Sequence, residues 1–68
     1  MKINVYAVRT KKGISGRELQ RRTGISTGTI NNIENERTSP TMHKMEKIAK
    51  ALDTTIEDLY ESEYKRKY

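Results

Sequence analysis

The chain has 68 residues, no Cys, Trp or Phe, and 14 Lys and Arg against 9 Asp and Glu, for a formal charge of +5. A chain this short is read as one domain, 1–68, that buries only ~60% of the surface it exposes when unfolded, so its thin core must come from Ile, Leu, Val and Met without help from disulfides or thiolate metal sites. No apolar run approaches the ~18 residues of a membrane span and the amino end lacks the apolar stretch of a secretory signal, so a cytoplasmic protein is expected.

The charge is unevenly spread. Residues 1–26 carry seven bases and one acid, whereas residues 53–68 carry three bases and five acids. A basic amino-terminal half suits a polyanion, of which nucleic acid is the commonest, or else a solubilising surface.

Gly13, Gly24, the stretch from Asn35 to Pro40, and Asp53-Thr54 divide the chain into blocks, and none of the blocks alternates as a strand would. An all-α domain of five helices is expected, over residues 2–12, 16–22, 27–35, 41–52 and 56–65. The first places Met1, Val5 and Val8 on one face. The second opens on Ser15-Gly16-Arg17-Glu18, the Ser-x-x-Glu pattern of a capping box, and closes at Gly24. The third follows Ser26, a good N-cap, and carries Ile30 and Ile33. The fourth has Pro40 in its first turn and an apolar stripe of Met42, Met45, Ile48, Ala49 and Leu52. The fifth follows Thr55, with Ile56, Leu59 and Tyr60 inward. Residues 61–68 either extend it or form a tail. As an extension, Ile56, Tyr60, Tyr64 and Tyr68 share one stripe, with Glu61–Lys65 and Glu63–Lys67 as i,i+4 pairs opposite. Such a tyrosine stripe is a candidate self-association surface.

A capped helix of about seven residues, then Thr23-Gly24-Ile25-Ser26, then another short helix is the spacing of a helix-turn-helix; an ordinary helical hairpin has the same outline. Val8-Arg9, Lys12-Gly13-Ile14-Ser15, Glu18-Leu19, Gly24-Ile25-Ser26, Thr29-Ile30, Ile33-Glu34-Asn35, Pro40-Thr41-Met42, Lys47 to Leu52 and Ile56 to Tyr60 carry a more specific likeness. From Val5 to Tyr60 the sequence resembles the Cro/CI-type (XRE-like, lambda-repressor-like) helix-turn-helix family of phage repressors and bacterial regulators.

The resemblance implies a five-helix DNA-binding domain whose third helix enters the major groove. Carried over position by position, Thr27, Gly28, Asn31 and Asn32 face the bases, with Ser26 at the edge. Asparagine can pair bidentately with adenine, and a threonine methyl suits thymine. Phosphate contacts are expected from Arg17, Asn35, Arg37, Thr38, Ser39 and Lys44, and from the amides that open the second and third helices. Arg21 and Arg22 read equally as solvated residues or as DNA contacts. Arg9 and Glu34 match a family pair that ties the recognition helix to the scaffold, and Arg9 is also a phosphate candidate.

Departures from the family pattern fall at five positions. Gly16 replaces a glutamine that often touches DNA. Gly28 removes a side chain from a reading position. Gln20 and Thr23 occupy positions that are usually apolar and packed. Glu36 replaces a glycine, so Asn35 is expected to take the left-handed conformation itself.

No enzyme chemistry is expected. The single histidine, His43, has only Glu46 at i+3, which reads as an exposed pair, and no metal, cofactor or small-molecule ligand is implied. The expected function is a transcriptional regulator, a repressor that binds a palindromic operator in double-stranded DNA as a homodimer. Alternatives are an antitoxin or restriction-modification controller acting on its own operon, or a protein-interaction module that does not read DNA.

Overall fold

A computed structural model of the chain describes residues 2–62. In chain order the elements are strand β1 (Lys2–Ile3), helices α1 (Val5–Lys11), α2 (Gly16–Thr23), α3 (Thr27–Glu34) and α4 (Met42–Ala51), a 3-10 turn (Ile56–Leu59) and strand β2 (Tyr60–Glu61). The side chains of Val5, Leu19, Ile30, Ile33, Ile48, Leu52 and Leu59 are almost wholly buried, so every helix and the 3-10 turn contribute to one core. Each such side chain stabilises the fold by about 1.5–3 kcal/mol relative to leaving it exposed.

Local capping explains where the middle helices begin. The Ser15 hydroxyl accepts from the Glu18 amide at 3.1 Å, the Ser26 hydroxyl from the Thr29 amide at 3.2 Å, and the Thr41 hydroxyl from the Lys44 amide at 3.1 Å. Pro40 therefore precedes the N-cap of α4 rather than standing in its first turn. Only one arm of the expected capping box forms at α2, because the Glu18 carboxylate turns to Arg21 and Arg22.

Helices α1, α3 and α4 end alike. In each, the amide of the third residue past the helix returns to a carbonyl five residues earlier: Ile14 to Arg9 at 2.9 Å, Arg37 to Asn32 at 2.9 Å, and Thr54 to Ala49 at 2.9 Å. This Schellman closure needs a left-handed residue just before that amide. Gly13 (φ 72°) supplies it without steric cost, whereas Glu36 (φ 57°) and Asp53 (φ 53°) supply it as non-glycine residues. The expectation for Asn35 is corrected: its φ is −93°, and Glu36 takes the left-handed position.

Both ends of the fold depart from the five-helix expectation. Among the described residues there are four α-helices, one 3-10 turn and a two-stranded antiparallel sheet. Lys2 pairs with Glu61 and Ile3 with Tyr60, and the Asn4 amide donates to the Leu59 carbonyl at 2.8 Å. Residues 2 and 3 thus find hydrogen-bond partners at the far end of the chain, and α1 starts at Val5 rather than at residue 2. The expected fifth helix stops for the same reason. Tyr60 is extended (φ −151°, ψ 159°), so its backbone pairs with β1 instead of prolonging a short turn of poor hydrogen-bond geometry. The stripe from Ile56 through Tyr60 is thereby broken; Tyr64 and Tyr68, and the acid–lysine pairs with Lys65 and Lys67, lie outside the described residues.

Met42, expected in the apolar stripe of α4, is instead 67% exposed. With Ile3, Pro40, Met45, Ile56 and Tyr60 it lines an apolar cavity of about 210 Å³ beside the sheet.

Candidate nucleic-acid interface

Helix α2 ends at Gly24, whose φ of 76° belongs to the left-handed region and whose amide donates to the Gln20 carbonyl at 2.7 Å. A side chain here would strain the turn, and the abrupt stop lets Ile25 enter the core before α3 begins at Thr27.

Gln20 and Thr23, the residues that replace apolar packing, act as polar staples of this turn. The Thr27 amide donates to Gln20 Oε1 at 2.8 Å, across the turn from α2 to the first residue of α3. The Thr23 hydroxyl donates to the Leu19 carbonyl at 2.7 Å and accepts from the Ile25 amide at 3.0 Å. Polar side chains thus hold the α2–α3 geometry where the family pattern would use hydrophobic contact. Sequence periodicity carries no signal for a bond that spans a turn in this way.

Helix α3 has two unlike faces. Ile30 and Ile33 are buried, while Ser26, Thr27, Gly28 and Asn31 are exposed and Asn32 is half-buried at the edge. Every expected base-facing position except Asn32 therefore lies on the open face. At Gly28 a Cβ would meet nothing within 4 Å, and the same holds for Gly16.

A polar cluster closes the carboxyl end of this face. Asn31 Oδ1 accepts from Arg37 Nη1 at 3.1 Å and from Asn35 Nδ2 at 3.2 Å. Asn35 Nδ2 also donates to the Asn31 carbonyl at 2.9 Å, and Arg37 Nη1 lies 3.4 Å from Asn32 Oδ1. Four of the expected DNA-facing residues are thus tied together.

The remaining expected phosphate donors surround α3. Arg17 is exposed in the first turn of α2 and shares a concavity with Gln20, Arg21, Gly24, Ser26 and Thr27. Thr38 and Ser39 are exposed in the loop before α4, and Lys44 is half-buried in the first turn of that helix. Arg21 and Arg22, left open by the sequence, separate here. Arg22 Nη1 donates to the Ala51 carbonyl at 3.0 Å and Nε to Glu18 at 2.9 Å, which ties α2 to the end of α4. Arg21 pairs with Glu18 at 2.8 Å and remains largely solvated. The hydrogen bond from Arg22, together with the charge of Arg21, holds the Glu18 carboxyl below its ordinary range.

Beneath the face, Arg9 Nε donates to Glu34 Oε2 at 2.7 Å and Nη2 to Glu34 Oε1 at 3.1 Å. Arg9 Nη1 donates to the Ile14 carbonyl at 3.2 Å, and the guanidinium lies 5.0 Å from the centroid of the Tyr6 ring. The bond to Glu34 raises the Arg9 pKa further above its already high value, against the opposing effect of burial. With three nitrogens engaged and the side chain 14% exposed, Arg9 is bound into the scaffold. The stacking of Tyr6 on Arg9 has no counterpart in the sequence reading.

Residues 5–59 match a protein-family model described as Helix-turn-helix. The chain belongs to the Cro/CI-type helix-turn-helix family. This is a family of DNA-binding regulators and not typically of enzymes. A comparison with curated proteins gave no match. Among the described residues of this helix-turn-helix protein, no helix is long and apolar enough to cross a membrane and no group of His, Cys, Asp and Glu could hold a metal ion. Its α2, the turn at Gly24, and α3 form the motif from which the family takes its name.

Proposed function

We propose that this helix-turn-helix protein is a sequence-specific transcriptional repressor that binds a palindromic operator as a homodimer, with α3 in the major groove. The observation that carries the reading is the open face of α3: Ser26, Thr27, Gly28 and Asn31 are presented together, with Asn32 at their edge, on a helix whose other face is fixed in the core. A helix held in this way offers donors and acceptors to base edges without adjusting the scaffold. Arg17, Asn35, Arg37, Thr38, Ser39 and Lys44 flank that face as phosphate contacts, which set register and affinity rather than sequence. The apolar cavity between Ile56, Tyr60 and Met42 supports self-association, because apolar and aromatic side chains dominate the centres of such contacts.

The test is enrichment of duplexes from a randomised pool by the 68-residue chain, followed by titration of the winner at several salt concentrations. An enriched sequence with two inverted halves about one helical turn apart, bound by two chains and silencing a promoter it overlaps, is expected. Asn32→Ala should relax preference at particular base pairs, while Arg17→Ala should weaken all duplexes alike and flatten the salt slope. A parent chain that bound every duplex equally would remove the reading.

A further inference from the structure

We infer that Asn31 reads its base as a hydrogen-bond donor only, selecting guanine or thymine rather than adenine, because Arg37 and Asn35 saturate its acceptor oxygen. The inference rests on the reading of α3 as the recognition helix and adds the class of base that one of its positions takes.

An asparagine side chain has an amide oxygen with two lone pairs and an amide nitrogen with two hydrogens. Bidentate pairing with adenine uses both ends: the oxygen accepts from the exocyclic amine and the nitrogen donates to the ring. In this protein Asn31 Oδ1 already accepts two N–H groups, from Arg37 at 3.1 Å and from Asn35 at 3.2 Å. Both lone pairs are in use. The backbone holds the partners close, since Asn35 is the C-cap of α3 and the Arg37 amide closes the Schellman motif on Asn32. With its oxygen turned toward Arg37 and Asn35, Asn31 offers Nδ2–H to the groove. Guanine presents two acceptors there and thymine one, whereas cytosine presents only a donor. Adenine offers a single acceptor beside an amine that would go unanswered.

Asn32 differs. Its oxygen has one donor, Arg37 Nη1 at 3.4 Å, so a lone pair is left and adenine remains available to it. Arg37 therefore acts on sequence choice as a positioning residue, over and above any phosphate it meets.

The experiment repeats the pool enrichment with four chains: the parent, Asn31→Ala, Arg37→Met and the double variant Arg37→Met/Asn35→Ala. Circular dichroism and urea unfolding confirm that each is folded under the binding conditions. Asn31→Ala identifies the base pair that Asn31 reads, as the position where preference flattens. In the parent that position should be guanine or thymine, favoured over adenine by about five- to tenfold, the worth of a neutral hydrogen bond or two. In the double variant the freed oxygen should move the preference to adenine by about tenfold, with Arg37→Met intermediate. A parent that selects adenine there, or a double variant whose preference matches the parent's, overturns the inference while leaving the recognition helix in place. An Asn31→Ala chain with every preference of the parent overturns the inference and the placement of Asn31 on the reading face together, and the Asn32→Ala result then decides whether α3 reads DNA at all.

Discussion

The Arg9 guanidinium and the Glu34 carboxylate meet fork to fork, joining the last turn of α1 to the last residue of α3. Their side chains are 14% and 6% exposed, so solvent and salt screen the pair little. Burying two charges costs much of what their attraction returns, so the expected effect of the pair is to fix the angle of α3 on α1 rather than to add stability.

Glu34→Gln should therefore destabilise the fold by about 2 kcal/mol, since it leaves the Arg9 charge partly buried without its partner. The double replacement Arg9→Met/Glu34→Leu should cost less than the single change, yet still weaken operator binding per folded molecule. Urea unfolding beside DNA titration measures both. Unchanged affinity in a stable double variant would mean that the pair has no orienting role.

Gln20→Ala removes the acceptor of the Thr27 amide and should lower stability by about 1 kcal/mol. Gln20→Glu keeps an acceptor at the same reach and should recover most of that loss. Hydrogen exchange at the Thr27 amide provides the local readout: faster in the alanine variant, near parental in the glutamate one. Equal protection in all three chains would dismiss the staple.

Glu36→Gly should stabilise the protein by about 0.5–1 kcal/mol, because a side chain at φ 57° is strained and glycine is not, less the freedom glycine adds to the unfolded chain. For a domain of this size the melting temperature should rise by a few degrees, roughly 4–8 °C per kcal/mol. A lower melting temperature would show that the Glu36 side chain makes a stabilising contribution of its own.

Gly28→Ala should act in opposite directions on stability and binding. The added methyl meets nothing within 4 Å in the protein, and alanine favours a helix over glycine by about 1 kcal/mol, so the free protein should gain stability. In the proposed docking the same methyl points at DNA, and operator affinity should fall. Gains in both would place Gly28 off the reading surface.

The legible and illegible parts of this protein differ in the range of the interactions behind them. Ser15, Ser26, Gly24 and the buried isoleucines of α3 announce themselves through neighbours within one helical turn, and α2 and α3 begin at the expected residues. The sheet does not, because Lys2 and Ile3 choose an extended conformation only in the presence of Tyr60 and Glu61. At the candidate site, residue types and positions were readable from Ser26 to Arg37. Their hydrogen bonding was not, since which atom of Asn31 faces Arg37 depends on the path of the chain beyond Glu36. The roles of Arg22 and Gln20 were hidden for a related reason: each makes its telling bond to a backbone atom on another helix, which residue type alone does not disclose.

The pairing of Lys2 with Glu61 also bears on the order in which the molecule assembles. Contacts between α2 and α3 close short loops and form at small entropic cost, whereas the two strands must close a loop of nearly the whole described chain. The α2–α3 half is thus expected to condense first and the strand clasp last. Loosening the clasp, as in Ile3→Ala, should then hasten unfolding while leaving the refolding rate nearly unchanged. The lifetime of the folded protein would then be governed by the strand clasp rather than by the contacts between α2 and α3.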